Sequence, residues 1–249
     1  MECPYCHTIF EKKRNFCSNC GKKLSGASEE KSQQKRTLHL IITFYIVTIL
    51  LLAVNLGVQL YQSTGLLFEI GIHLIDIMVV ITFVFFDLIP IIRLYRLPKV
   101  NWKIVVFSII FPLFSAITVH YGLEFVSDAL NIPHSNYIFE YHFYNNPVFW
   151  AVLFVAILPP IFEELAFRGF LHNQLIKVTS PSIAIIGTAF LFALVHFSIL
   201  SIIWIFPFGL ILGYIRHKYR TLWYGMIIHF MHNFVVLAID YYYFYAPTT

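Results

Sequence analysis

Long runs of apolar residues dominate this sequence of 249 residues and direct it to a membrane. A helix needs roughly 20 mainly apolar residues to cross the hydrocarbon core of a bilayer. Runs that can cross lie near 38–61, 67–92, 103–121, 147–176, 182–198, 199–216 and 221–245. Charged residues make up only 12% of the chain, about half of their share in an average soluble domain, which excludes that class. The sequence therefore predicts an all-α, polytopic transmembrane helical bundle of about seven spans.

Two boundaries between these runs are less sharply defined than the others. A short turn at Phe197-Ser198 is predicted to separate the fifth span from the sixth. The long fourth run contains Pro159-Pro160, so it need not be one straight span.

The distribution of lysine and arginine predicts the orientation of the bundle, because these residues accumulate in short cytoplasmic loops. Of the 17 basic residues, eight precede the first span, four lie between the second and third, two in or after the fourth, and three between the sixth and seventh. The segments 62–66, 122–146 and 246–249 contain none. The pattern predicts a multi-pass cell-membrane protein with its amino terminus in the cytoplasm and its carboxyl terminus outside. The net charge of +4 follows from this topology and does not indicate a nucleic-acid partner.

The polar segment 1–24 contains all four cysteines of the chain, in two CxxC pairs separated by ten residues. They are Cys3, Cys6, Cys17 and Cys20. Two such pairs can offer four thiolates in a tetrahedron, as in structural zinc sites. A module of about 22 residues cannot bury enough apolar surface to fold unaided, so the metal would supply the folding free energy. We therefore predict a zinc ribbon at 1–24, whose binding partner the sequence does not indicate.

A redox function is the alternative for these cysteines, with each pair acting as a thiol–disulfide couple. No thioredoxin-like βαβ pattern follows them, and a cytoplasmic location would keep the thiols reduced, so zinc is the favoured interpretation. Residues 25–36 are polar and have no hydrophobic periodicity, which predicts a linker. The transmembrane domain is then expected at 37–249.

Several ionisable or amide side chains lie inside the apolar runs, where such groups are costly and indicate a functional site. They are Glu163, Glu164, Arg168, His196, His229 and Asn233. On a helix, Glu164 and Arg168 are at positions i and i+4 with the acid first, which favours an ion pair. Glu163 lies about 100° around the same helix and has no such partner there. Glu163 is therefore the carboxylate that remains free to accept a proton.

Depth in the membrane supports a common location for these groups. A rise of 1.5 Å per residue from the cytoplasmic edges puts the acid, the two histidines and the asparagine roughly 13 to 21 Å deep. This requires the segment that carries Lys177 to run up to Glu163 as one helix. Pro159-Pro160 would then lie near its start, where proline is tolerated.

Three motifs occur in order on successive apolar segments: Glu163-Glu164-x-x-x-Arg168, Phe192-x-x-x-His196 and His229-x-x-x-Asn233. Over residues 147–240 this order resembles the CPBP family of intramembrane proteases, named for CAAX processing and bacteriocin processing and also called the Abi family. The resemblance implies hydrolysis of a peptide bond in a peptide or a lipid-modified protein tail. It also implies that Glu163, His196, His229 and Asn233 are catalytic and that Glu164 and Arg168 support them.

Two mechanisms fit these residues. In the first, Glu163 assisted by His196 activates a water, and His229 and Asn233 donate hydrogen bonds to the oxyanion. In the second, Glu163, His196 and His229 hold a catalytic metal with an open coordination position. Asn233 is a poor zinc ligand and a good oxyanion donor, and the chain has no HExxH motif. These points favour the mechanism without an active-site metal.

Other classes of function stay open at this point. A non-catalytic membrane binding protein, such as an immunity protein, can use the same cavity, and a transporter can relay protons through buried acids and histidines. No pair of matching broken segments indicates the inverted repeat of a transporter. The remaining polar residues in the spans are predicted to serve helix packing or the interface: His39, His73, His120, Asp76 and Asp87. His172 and His232 lie near the motifs and are candidates for supporting roles.

Overall fold

Helices form most of the computed structural model, which describes residues 2–3, 5–10, 16–22, 25–60, 65–131, 136–196 and 199–246. These ranges contain no β-strand, and an isolated antiparallel bridge joins Glu2 to Ile9. The predicted fold class, an all-α bundle with a small cysteine-containing module at the amino terminus, is confirmed.

The helices follow the predicted apolar runs in order. In chain order they are α1 (Ser25–Leu60), α2 (Leu66–Phe85), α3 (Leu88–Arg93), α4 (Trp102–Leu130), α5 (Tyr137–Tyr141), α6 (Pro147–Ala151), π1 (Val152–Ile157), α7 (Leu158–Glu163), π2 (Glu164–Leu171), α8 (His172–Leu175), α9 (Pro181–Leu194), α10 (Ile199–Tyr219) and α11 (Trp223–Tyr245). Within the described ranges, four helices are long and apolar enough to cross a membrane: Lys31–Gly57, Leu66–Phe85, Trp102–Leu130 and Pro147–Leu175. The chain is therefore a multi-pass membrane protein.

The last of these four, Pro147–Leu175, joins α6 through α8 without a break, and we call it the composite helix. Pro159-Pro160 lie in the first turn of α7, as predicted, but the composite helix does not begin there. It extends twelve residues further back, from 159 to 147, because π1 and α6 precede α7 without a break. Proline lacks an N–H and disturbs an α-helix, and the wider π-helical turn before it accommodates that disturbance.

Other helix boundaries also differ from the prediction. The second run is broken at Asp87, whose backbone (φ −137°, ψ 31°) is not helical, because Pro90 would otherwise clash with the carbonyl four residues before it. Helix α4 extends nine residues past 121, to Leu130, into the segment expected to lie outside. Helix α1 begins at Ser25, so the residues predicted as a linker are helical. The predicted turn at 197–198 lies outside the described residues.

An aromatic cluster in the core fixes the composite helix against three other helices. Phe44 of α1, Phe83 of α2 and Phe170 of π2 contact one another with ring centroids 5.0 to 5.3 Å apart. Phe167 of π2 packs edge-to-face on Phe192 of α9 at 5.4 Å. Aromatic pairs with this spacing contribute attraction beyond the buried area alone. The segment that carries the first motif is therefore held rigidly.

The basic loops meet at one end of the bundle. Lys177, which follows the composite helix, forms a 2.8 Å ion pair with Asp87 between α2 and α3. Trp223 at the start of α11 donates a 2.8 Å hydrogen bond to the Tyr95 carbonyl after α3. Three loops with basic residues thus share one side, which is the arrangement that the positive-inside pattern requires. The orientation of the termini stays a prediction.

Candidate active site and cysteine cluster

A buried ion pair lies inside π2 of the composite helix. The Arg168 guanidinium donates a 2.8 Å hydrogen bond to Glu164 Oε1, as the i, i+4 spacing predicted, and a 3.1 Å bond to the Gly209 carbonyl of α10. Both charged side chains are fully buried. The guanidinium carbon also lies 4.2 Å from the centre of the Phe192 ring, a cation–π contact. Breaking such a pair leaves an uncompensated buried charge, so Glu164 is held firmly in place.

Gly225 of α11 makes room for the Glu164 carboxylate. A Cβ atom at residue 225 would lie 2.6 Å from Glu164 Oε2, nearer than real Cβ atoms come to a neighbour. Sequence patterns did not single out this glycine. Its position one helical turn before His229, on the same face, is the signal that could have indicated it. Any larger residue at 225 would displace Glu164.

The His229 imidazole lies between two carboxylates. Its Nδ1 is 3.5 Å from Glu164 Oε1, and its Nε2 is 3.9 Å from Glu163 Oε2. Phe192 and Phe208 pack edge-to-face on the buried ring at 5.7 and 5.8 Å. Glu163 Oε2 is buried and has no hydrogen-bond partner within the described part of the chain. At 3.9 Å the two groups are too far apart for a hydrogen bond, but catalytic contacts are often long before substrate binds, so this distance is compatible with a functional pair.

Asn233, one turn beyond His229 on α11, contacts π1 of the composite helix. Its Nδ2 donates a 2.8 Å hydrogen bond to the Val155 carbonyl. In an α-helix that carbonyl would accept from residue 159, and in a π-helix from residue 160. Both residues are prolines and have no N–H. Asn233 therefore supplies the donor that the backbone lacks, and its carboxamide has a second N–H for another acceptor.

His196 lies just past the carboxyl end of α9, although the prediction placed it inside a span that ran to residue 198. Its Nδ1 is 2.7 Å from the Phe192 carbonyl, and the Phe192 ring packs on the imidazole at 4.9 Å. A carbonyl only accepts, so Nδ1 carries the proton and Nε2 has the free lone pair. His196 is thus oriented by the last turn of α9 and can accept a proton at Nε2.

Two cavities lie beside these residues. The first has a volume of about 180 Å³ and is lined by His196, His229, His232 and Asn233, among others. The second has a volume of about 240 Å³, lies between α1, α2 and the composite helix, and is lined by Glu163. The residues predicted to be catalytic therefore divide between neighbouring cavities, and the Glu163–His229 contact links the two.

A second arginine supports the composite helix from behind the ion pair. Arg216 of α10 is buried, donates a 2.8 Å hydrogen bond from Nε to the Arg168 carbonyl, and also bonds to the Asn173 side chain. The sequence indicated Arg216 only as a cytoplasmic basic residue.

Nearby, His172 is fully buried with its ring centroid 5.9 Å from that of His217. Neither His172 nor His217 lines the two cavities.

The two CxxC pairs form matching turns. The Cys3 carbonyl accepts a 2.9 Å hydrogen bond from the His7 amide, and the Cys17 carbonyl accepts one of the same length from Gly21. Residues 7 and 21, each directly after a second cysteine, have positive φ angles of 56° and 71°. Glycine adopts this conformation without strain, so Gly21 suits the second turn better than His7 suits the first.

These turns bring all four cysteine sulfurs within 4.8 Å of one another. Cys3 and Cys20 are 3.7 Å apart, and Cys6 and Cys17 are 3.6 Å apart. Four sulfurs at the usual Zn–S distance of about 2.3 Å form a tetrahedron with edges of about 3.8 Å. The cluster can therefore hold a metal ion, and its geometry fits zinc.

Thr8 and Asn19 link the two turns around one thiol. Asn19 Nδ2 donates to Thr8 Oγ1 at 2.9 Å, so the hydroxyl hydrogen of Thr8 is left to bond with Cys6 Sγ at 3.2 Å. This side-chain hydrogen bond, followed by one from the Thr8 backbone, lowers the pKa of Cys6 to about 6. A thiolate at neutral pH is the form that binds a metal.

Among the described residues, the cysteine cluster is the one group of three or more His, Cys, Asp or Glu side chains close enough to hold a metal ion. Glu163, His196 and His229 do not form such a group. The two carboxylates near His229 face different nitrogens of its ring, which does not suit a shared metal.

Comparison with protein families gives one match. Residues 145–235 match the model of the family described as type II CAAX prenyl endopeptidase Rce1-like. This segment contains all three motifs and agrees with the resemblance stated from the sequence. Comparisons with curated proteins and with solved structures found no match.

Proposed function

We propose that this chain is an intramembrane endopeptidase that hydrolyses a peptide bond, a function supported by the match of residues 145–235 to the Rce1-like CAAX prenyl endopeptidase family model. Glu163 is the general base, His196 assists it, and His229 with Asn233 forms the oxyanion site. The observation that carries the proposal is the 3.9 Å approach of His229 Nε2 to Glu163 Oε2, which has no hydrogen-bond partner among the residues that the structure describes. The two atoms lie where the two cavities adjoin. The substrate is a peptide or a lipid-modified protein tail.

The chemical step needs one water and no other co-reactant. Glu163 takes a proton from the water, and the water oxygen forms a bond to the scissile carbonyl carbon. The carbonyl oxygen gains the negative charge, which the His229 N–H and the second N–H of Asn233 stabilise. When the C–N bond breaks, the leaving amine receives the proton that Glu163 had taken. His196 lines the same cavity as His229 and Asn233 and assists this transfer.

Glu164 and Arg168 support the reaction without contacting substrate. Arg168 holds the Glu164 carboxylate in place, 3.5 Å from His229 Nδ1. When both ring nitrogens carry protons, Nδ1 faces this carboxylate and the Nε2–H is the donor to the oxyanion. This holds the imidazole in one orientation, as an acid does for the histidine of other hydrolases. The carboxylate of Glu163 faces the other ring nitrogen and is left for the water.

We favour a mechanism without an active-site metal. His196 uses Nδ1 for a backbone carbonyl, and Asn233 is a hydrogen-bond donor and a weak metal ligand. Zinc is assigned instead to Cys3, Cys6, Cys17 and Cys20, where four thiolates would hold it and stabilise the fold of residues 1–24. The basic loops at one end support a cytoplasmic amino terminus and an outside carboxyl terminus.

Cleavage by purified full-length protein in lipid nanodiscs tests the proposal. The probe is an internally quenched peptide that ends in a prenylated CAAX sequence. We expect Glu163→Gln to lower kcat by about 10³-fold or more, and Asn233→Ala by about 10²-fold. The matched control is Glu124→Gln, an acid-to-amide change on α4. Full cleavage by Glu163→Gln, or activity that depends on a metal in a Cys17→Ser variant, would overturn the mechanism.

A further inference from the structure

The second cavity contains polar side chains that the proposed catalytic residues leave unexplained. Its walls are mostly aliphatic and aromatic, yet Asn55, His73 and Asp76 line it together with Glu163. Asn55 lies within hydrogen-bonding reach of the Asp76 carboxylate. Polar groups at this depth are costly unless they are bonded or hydrated. Helix packing alone does not explain why they share a cavity.

The size and polarity of this cavity suit water. The volume of about 240 Å³ is well above the roughly 10–15 Å³ that one water molecule needs. A buried water needs two to four polar partners, which Asn55, His73, Asp76 and Glu163 can offer. Glu163 Oε2 has no hydrogen-bond partner within the described ranges, so it can accept a hydrogen bond from a water.

The His73 side chain of this lining packs against an aromatic ring. The imidazole stacks on the Phe154 ring of π1, with centroids 4.3 Å apart and planes 15° from parallel. One face of His73 is thereby covered, and its ring nitrogens lie at the edge that remains. Val155 of π1 lines the first cavity, and Pro159 and Phe162 of α7 line the second, so consecutive segments of the composite helix contribute to the two cavities.

We propose that the second cavity is a water chamber that supplies the hydrolytic water to Glu163, with Asp76 as a positioning residue for that water. The inference rests on the proposed function, because it concerns the water that Glu163 activates. His196, His229 and Asn233 line the first cavity, so the peptide carbonyl must lie there to reach the oxyanion donors. The second cavity is then the side from which Glu163 receives water. Each turnover consumes one water, so the chamber refills each time.

Kinetics of Asp76 variants test this assignment with the prenylated CAAX probe. We expect Asp76→Leu to lower kcat by about tenfold or more while KM stays within about twofold, because water supply and not peptide binding is lost. Asp76→Asn keeps a polar group and should retain most of kcat. The control is Asp128→Leu, the same change at the exposed end of α4, with wild-type kinetics expected. A raised KM at unchanged kcat, or no effect, would overturn the proposal.

A measurement that does not need cleavage keeps the test separate from the proposed function. Radiolytic hydroxyl-radical footprinting oxidises side chains next to bound water. In wild-type protein we expect oxidation of His73 and Phe162, and its loss in Asp76→Leu, while Leu74, which faces away on the surface of α2, stays unmodified. Unmodified His73 and Phe162 in the wild type would show that the cavity is dry. Cleavage by Glu163→Gln would instead remove the proposed function and leave the hydration result standing.

Discussion

The side-chain amide of Asn233 donates to the Val155 carbonyl at 2.8 Å, and two consecutive prolines are the reason that this carbonyl has no backbone donor. The proline pair in the composite helix and the asparagine of the third motif are 73 residues apart in sequence, counted from 160 to 233, yet they form one unit. A local defect in one helix is therefore used to orient a side chain of another.

Pro159→Ala should raise the stability of the protein and lower its activity. The new N–H bonds to Val155, and stability should rise by up to about 3 kcal/mol, the helix-interior cost of proline relative to alanine. Asn233 then loses its acceptor and its fixed orientation, so we expect kcat to fall about tenfold. Thermal unfolding and probe cleavage measure the two effects. Pro112→Ala inside α4 is the control, and wild-type kcat in Pro159→Ala would contradict the role given to Asn233.

Gly225→Ala should remove most activity without touching a catalytic residue. The added methyl would overlap Glu164 Oε2, so the carboxylate must move and its support of His229 is lost. We expect stability to fall by about 1–3 kcal/mol, the usual cost of overpacking. Gly71→Ala on α2 is the matched control, because a Cβ there has nothing within 4 Å. Equal behaviour of both variants would show that the space beside Gly225 is not needed.

Zinc content of the full-length protein tests the cysteine cluster. We expect about one zinc per chain by elemental analysis and its loss in Cys17→Ser, since three thiolates no longer complete the tetrahedron. The control is Lys177→Gln, a change far from the cysteines in sequence, and this variant should keep its zinc. A metal-free wild type with oxidised cysteines would instead favour the redox interpretation.

The pH at which zinc is released should depend on Thr8. Its hydrogen bond is the largest cause that lowers the pKa of Cys6, so the thiolate that binds metal forms at a lower pH than it would without this bond. Thr8→Val removes the side-chain bond and raises this pKa, so protons compete at a higher pH and zinc should leave earlier during acidification. Thr8→Ser keeps the hydroxyl and should behave as wild type. The midpoint of release, followed with a zinc-sensitive dye, measures the shift.

Protease protection in oriented vesicles tests the predicted topology. In inverted vesicles, trypsin should reach Lys99 and Arg220, because both lie in loops predicted to be cytoplasmic. A tag after residue 249 should be protected in the same vesicles. The reverse pattern would show that the bundle has the opposite orientation.

The sequence predicted the parts of the structure that depend on local spacing. Run length predicted the helices, and the i, i+4 spacing predicted the Glu164–Arg168 ion pair, because both follow from the dimensions of one helix. Hydropathy does not report which amide bonds to which carbonyl, so π1 and π2 were missed. The closeness of Gly225 to Glu164 depends on how two helices that are far apart in sequence pack together. No local sequence pattern predicts such packing.

The wide turns of π1 also limit how the chain can vary in length. Each π-type turn accommodates one residue more than an α-type turn. The stretch from 152 to 157 therefore sets the angular position, around the helix axis, of every later residue of the composite helix. Deleting a single residue there would swing Glu163 by about 100° around the helix axis and carry its carboxylate away from His229. In this span, the number of residues before the acid is as tightly constrained as the acid itself.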